Sequence, residues 1–174
     1  MMNERVRKYI GWGVVLALVQ ILVFREVNFG WGDFYHVHIL VYPALILVLP
    51  IKIPRTYLMI IGFFLGLILD LFYLSPGIHS SALVFMAFIR TLVLNLLEPR
   101  GGYKVNSSPT IYHLGMNWFL SYSAIMIFLH HLFYFSMEVF TFDEMLYIWL
   151  RTVFSFIFSM LFILIFCVIF NPRY

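Results

Sequence analysis

Three charged side chains stand in runs that are otherwise apolar: Asp70 in GFFLGLILDLFYLSPG, Arg90 in LVFMAFIRTLVL and Arg151 in YIWLRTVFSF. A charge at the centre of a membrane helix costs about 2.5–3.5 kcal/mol on insertion scales, so each of these needs a partner. A carboxylate between two guanidiniums would offset much of that cost and leave one positive charge over. Three kinds of chemistry fit such a cluster. It can be a buried ion pair that fixes helix register, a proton relay or substrate site, or a docking point for an anionic partner. Two histidine pairs, His36 and His38 in FYHVHIL and His130 and His131 in FLHHLFY, suggest a metal at first sight. Metal sites need three or four convergent ligands with an ordered outer shell, and the sequence offers nothing further at ligand spacing. Histidines among aromatics at the outer interface are the expectation, with no metal and no cofactor.

Other catalytic patterns are missing. There is no HExxH, GxSxG, phosphate-binding loop or dinucleotide fingerprint, so the chain does not read as an enzyme. The net charge of +3 is dispersed, which argues against nucleic acid. A single cysteine, Cys167, excludes an intrachain disulfide and reads as a packed or lipid-facing thiol.

The elements that must position these groups follow from composition. Only 11% of the residues are charged and 63% are hydrophobic. A soluble domain carries about 25% charged residues, so the solvent of this chain is mostly lipid. A bilayer core takes about 20 apolar residues per helix. Six candidates result: 9–24, 39–51, 56–74, 80–97, 114–135 and 145–170, together forming one transmembrane domain over residues 1–174. The second is short and contains Pro43. No small-x-small cleavage site follows the first, which reads as an uncleaved helix. The motif LPIKIPR makes a tight turn, SPGIH another, and EPRGGYKVNSSPT a longer link.

Basic residues fall on one side of this arrangement: Arg5, Arg7 and Lys8, then Lys52 and Arg55, Arg100 and Lys104, and Arg173. Arg25 stands on the other side with Glu26, Asp33, Glu138, Asp143 and Glu144. The bias puts both termini in the cytoplasm. Gly62, Gly66 and Asp70 recur at i, i+4 and i+8, so a GxxxG face made for close helix packing ends in the carboxylate. At 1.5 Å per residue Asp70 lies roughly 6 Å below the outer surface, Arg151 about 10 Å and Arg90 about 15 Å. Snorkelling then brings the three together in the outer half. Weaker stripes (Gly13, Ala17 and Gln20; Asn117, Ser121 and Ala124; Arg151, Ser155 and Ser159) read as small-residue glue between helices. No internal repeat of the inverted-transporter kind is evident.

Gln20 late in the first helix, the LPIK turn at Leu49–Lys52, and GFFLGLILDLFYLSPGIHSSA from Gly62 to Ala82 resemble MreD, the family of bacterial rod shape-determining membrane proteins. Length and hydropathy agree over nearly the whole chain, while the specific motif covers 62–82. Gly62, Gly66, Asp70 and the turn residue Gly77 carry over; Arg90 and Arg151 do not belong to the family pattern. The resemblance implies a multi-pass protein of the bacterial inner membrane and a non-catalytic scaffold of the elongasome, which governs rod shape and lateral peptidoglycan synthesis. Its implied partners are the bitopic protein MreC and, with it, RodA, a class B penicillin-binding transpeptidase and MreB. It also implies an all-α fold of six transmembrane helices similar to the S-component of energy-coupling-factor transporters. A vitamin-binding S-component is accordingly the alternative function.

Overall fold

The structure is a computed structural model that describes residues 4–27, 29–30, 36–103, 108–140 and 145–170. Asp33, Lys104, Asp143, Glu144 and Arg173, all part of the charge asymmetry, lie outside the described residues. The chain begins with helix α1 (Glu4–Val19), which widens into a π turn over Gln20–Phe24. Two-residue strands β1 (Phe29–Gly30) and β2 (His36–Val37) pair antiparallel, with Phe29 opposite Val37. Then come α2 (Ala44–Val48), α3 (Arg55–Tyr73), α4 (Ile78–Leu96), the single turn α5 (Ile111–Leu114), α6 (Met116–Val139) and α7 (Met145–Phe170). Among the described residues five helices are long and apolar enough to cross a membrane: Arg7–Phe24, α3, α4, α6 and α7. Their apolar outward faces agree with a lipid surround; Leu22, Leu71, Leu96 and Leu146 are 69–76% exposed.

The second expected helix is the correction. Of residues 39–51 only Ala44–Val48 are helical. Pro43 cannot donate to a preceding turn and biases Tyr42 away from helical backbone, so the helix starts at the proline and Pro50 follows its end. The upstream run VHILV is β-branched and apolar, which suits extended backbone. Thirteen helical residues would reach about 20 Å. The non-helical backbone over 37–41 would cover up to about 17 Å at full extension, and the turn and helix over 42–49 add about 12 Å. A partly unwound segment therefore gains the length that a short helix lacks.

This segment is the axis of the molecule. Ile39–Tyr42 and Ala44–Leu49 are each no more than 4% exposed. α3 packs on α4, α4 on α6 and α6 on α7. Trp12 meets Phe166 and Phe170 edge-on, and Phe24 meets Phe162, so α7 runs antiparallel to α1. Gln20 and Tyr73, near the ends of α1 and α3, share a hydrogen bond of 2.8 Å, so these two helices run parallel. The chain between them therefore returns through the bundle, inside a ring of five helices.

Non-helical backbone survives at membrane depth only inside protein, where its polar groups find partners. Here side chains of the ring supply them. The Gln20 amide donates to Ile39 O (3.0 Å) and its oxygen accepts from Val41 N (2.8 Å). Ser155 Oγ accepts from His38 N (3.0 Å) and Ser159 Oγ from Leu40 N (2.8 Å). Gln20, Ser155 and Ser159 are thus more than glue between helices. Asn117 and Ser121, by contrast, face outward, and Ser121 Oγ donates only to its own helix at Asn117 O.

Candidate functional site

The α3–α4 connection carries the densest polar chemistry, and its geometry starts with two glycines. A methyl group at Gly62 would lie 3.1 Å from Leu83 O, and one at Gly66 would lie 2.5 Å from Ser80 N and 2.8 Å from His79 C. At Gly66 only hydrogen on the Cα atom lets the helices come this close, and at Gly62 a side chain would force a shift of a few tenths of an ångström. The start of α4 is thereby brought against the last two turns of α3, beside Asp70. The turn itself uses left-handed backbone at Leu74 (φ 55) and at Gly77 (φ 84). Gly77 takes that conformation without the clash a Cβ would bring.

Asp70 then closes both helix ends. Its main-chain oxygen accepts from Ser75 N (3.2 Å), completing the end of α3. Its carboxylate accepts from His79 N (2.9 Å) and Ser80 N (3.0 Å), two of the amides that an N-terminus leaves unpaired. Ser75 Oγ donates to Oδ1 at 2.9 Å, and Ser80 Oγ makes a short bond to Oδ2. Negative charge at a helix N-terminus is also favoured by the macrodipole. His79 Nδ1 lies 3.1 Å from Oδ1, so the carboxylate takes the ring N–H, and Nε2 has no partner among the described residues. Around it pack the rings of Tyr42, Tyr73 and Tyr134, at 5.5, 4.6 and 5.1 Å between centroids.

Arg90 serves another helix end. Its guanidinium makes a short bond to Leu49 O and a longer one (3.4 Å) to Pro50 O, while Nε donates to Tyr122 OH at 3.0 Å. The Tyr122 hydroxyl in turn donates to Leu47 O at 3.4 Å. These carbonyls form the C-terminal end of α2, where a cation is favoured. Arg90 is 1% exposed, and it points toward the LPIK turn rather than the outer half.

Arg151 has a third set of partners. One guanidinium nitrogen lies 3.0 Å from Glu138 Oε2 and another donates to His38 Nε2 at 3.0 Å. The plane sits 4.6 Å from the Phe135 ring centroid and 5.1 Å from that of Tyr147, within cation–π range. The expected cluster of Asp70, Arg90 and Arg151 does not form. Each charge satisfies its own neighbourhood, because helix termini and Glu138 provide the compensation that the arginines and the aspartate were expected to give one another. Glu138 stands thirteen residues before Arg151 across the α6–α7 link, and that proximity was the readable signal.

The histidines are also placed differently from the expectation. His130 and His131 are fully buried within the protein. His131 Nδ1 donates to Ile127 O (2.8 Å), and Nε2 accepts from Ser159 Oγ (3.0 Å). His131 therefore orients the hydroxyl that holds Leu40 N. His130 Nε2 meets Tyr42 OH at 3.3 Å, and its Nδ1 has no partner among the described residues. His36 lies in β2. No three His, Cys, Asp or Glu side chains converge on a common point among the described residues.

At the opposite end, Tyr103 donates to Leu94 O (2.7 Å) and Trp118 Nε1 to Leu97 O (2.7 Å), closing α4. Burial pushes the Tyr103 phenol up to about 12. A pocket of about 210 Å³ opens beside the π turn, lined by Gln20, Phe24, Arg25, His38, Ile39, Leu40 and Tyr73. The site as a whole can hold charge, fix two helix ends and seat the central segment. In comparison with known proteins, the chain matches no family model, no curated protein and no solved structure.

Proposed function

We propose that this chain is a non-catalytic membrane scaffold of the bacterial elongasome, similar to MreD, that binds a single-span partner such as MreC at the inner membrane. RodA, a class B transpeptidase and MreB would act in the same assembly. The supporting observation is the α3–α4 hairpin. Gly62, Gly66, Asp70 and Gly77, on which the resemblance rests, have interlocking places in one unit. Its polar groups are spent on helix ends, which suits a rigid body that others dock against. With the central segment counted as a crossing, the chain has six spans and both termini on the cytoplasmic side, in keeping with the basic-residue bias.

Co-purification from native membranes tests the proposal. Stoichiometric recovery of a bitopic cell-wall protein is expected, and its loss without loss of folding would overturn the reading. The outer pocket beside Gln20 favours a second reading, the vitamin-binding S-component. Its volume of about 210 Å³ falls below the 300–1,000 Å³ usual for small-molecule sites. Recovery of a bound vitamin with no cell-wall protein would reverse the order of the two.

A further inference from the structure

The ring of helices is open at one seam. Between α1 and α3 lies a groove of about 560 Å³, almost wholly apolar, with Leu45 and Leu49 of the central segment as its floor. One wall is Ile10, Val14 and Leu18; the other is Ile61, Ile68 and Phe72. All of these are 36–53% exposed.

Charge marks one mouth of this groove. Arg7 stands three and seven residues before Ile10 and Val14, so it continues their face of α1. Lys52 directly precedes Ile53, which lines the same end as Tyr9. Both side chains are exposed. The helices α1 and α3 also begin here, so their dipoles add positive potential. Arg55 is excluded, because its guanidinium sits over the Phe88 ring at 5.0 Å, on the α4 side.

We propose that this groove binds an anionic phospholipid, one acyl chain lying between α1 and α3 and the headgroup phosphate held by Arg7 and Lys52. Length separates this occupant from a partner helix. From Tyr9 to Leu22 the α1 wall runs about 20 Å. One leaflet of hydrocarbon is about 15 Å deep, whereas a spanning helix needs the full core of about 30 Å. Charge separates them as well. The flank of a partner helix on this side would itself be basic and would meet Arg7 and Lys52 with like charge. The inference rests on the membrane reading of the five apolar helices and is independent of the scaffold role.

The test is native mass spectrometry of the full chain extracted from bilayers of phosphatidylglycerol and phosphatidylethanolamine in equal amounts. Phosphatidylglycerol should be retained preferentially. Arg7→Gln and Lys52→Gln should each reduce that preference about fivefold, from roughly 1 kcal/mol per cation near a membrane surface. Leu18→Trp fills the groove from an exposed position and should release the lipid while leaving the helical circular dichroism unchanged. Retention in proportion to the bilayer composition would overturn the proposal. Unchanged retention in Leu18→Trp would do so too, since headgroup contact with surface cations would then be the whole effect. A photo-crosslinker at Val14 that captures a protein helix and not lipid would assign the groove to a partner instead.

Discussion

Asp70 and Arg90 are both charges buried in long apolar helices, yet their helix ends are built in different ways. The Asp70 site is local: within eleven residues the chain turns back and presents Ser75, His79 and Ser80 to the carboxylate that precedes them. The Arg90 site is assembled from afar, since Leu49 and Pro50 stand about forty residues upstream and Tyr122 thirty-two downstream. The two teach that a membrane charge can be matched by the end of a helix as well as by an opposite charge. An anion goes to amides at an N-terminus, and a cation to carbonyls at a C-terminus.

The sharpest way to break this comparison is Asp70→Ala. It leaves two amides, two hydroxyls and the His79 ring without their acceptor, and should destabilise the bundle by about 1–3 kcal/mol for each donor that stays dry. Unfolding in mixed micelles measures it. Asp70→Asn keeps one acceptor oxygen and should lose only about 1–2 kcal/mol, as a weakened cap does. Arg90→Met is next. It leaves the Leu49 and Pro50 carbonyls unpaired, each worth about 1–3 kcal/mol if it stays dry, and the same titration should also show Tyr122 less protected.

Smaller effects refine the picture. Ser159→Ala should cost about 0.6 kcal/mol, the average measured for hydrogen bonds between membrane helices, and at most about 1.7. Amide exchange at Leu40 should rise more than elsewhere. Combining Asp70→Asn with Arg90→Met separates a shared cluster from two independent sites. Additivity within about 0.5 kcal/mol is expected for sites with no common partner, and a larger coupling would restore the cluster. Tyr103 gives the smallest signal. Its folded pKa, about 12, lies above the ordinary 10.0. Its stabilising contribution is therefore complete below pH 10 and lost as pH rises toward 12, and Tyr103→Phe should flatten that alkaline slope.

The difference between the two sites also explains what the sequence could tell. The GxxxG stripe, the aspartate eight residues on and the following glycine turn all lie within one stretch, so helical periodicity alone brings them together. Five of the apolar runs were legible for the same reason, each being long, continuous and bounded by turn residues. The segment 39–51 was not. Hydropathy registers that it is apolar but not that most of its backbone is non-helical, and the side chains that satisfy it come from the end of α1 and from α7. Its shortness and Pro43 were the warning. Arg90 and Arg151 misled because depth counted along separate helices says nothing about which way a long side chain turns. Arg90 turns toward the LPIK end.

The remote donors for this central segment set a schedule for biogenesis. Ser155 and Ser159 are separated from His38 and Leu40 by 117 and 119 residues. At a ribosomal speed of 5–20 residues per second, roughly 6–24 s pass between synthesis of the segment and arrival of the serines that hold it. For that interval the extended stretch cannot sit bare in hydrocarbon, where each unpaired amide costs several kcal/mol. It must wait in the aqueous interior of the insertion machinery, on the membrane surface or as a provisional helix, and it takes its final form only when α7 closes the ring.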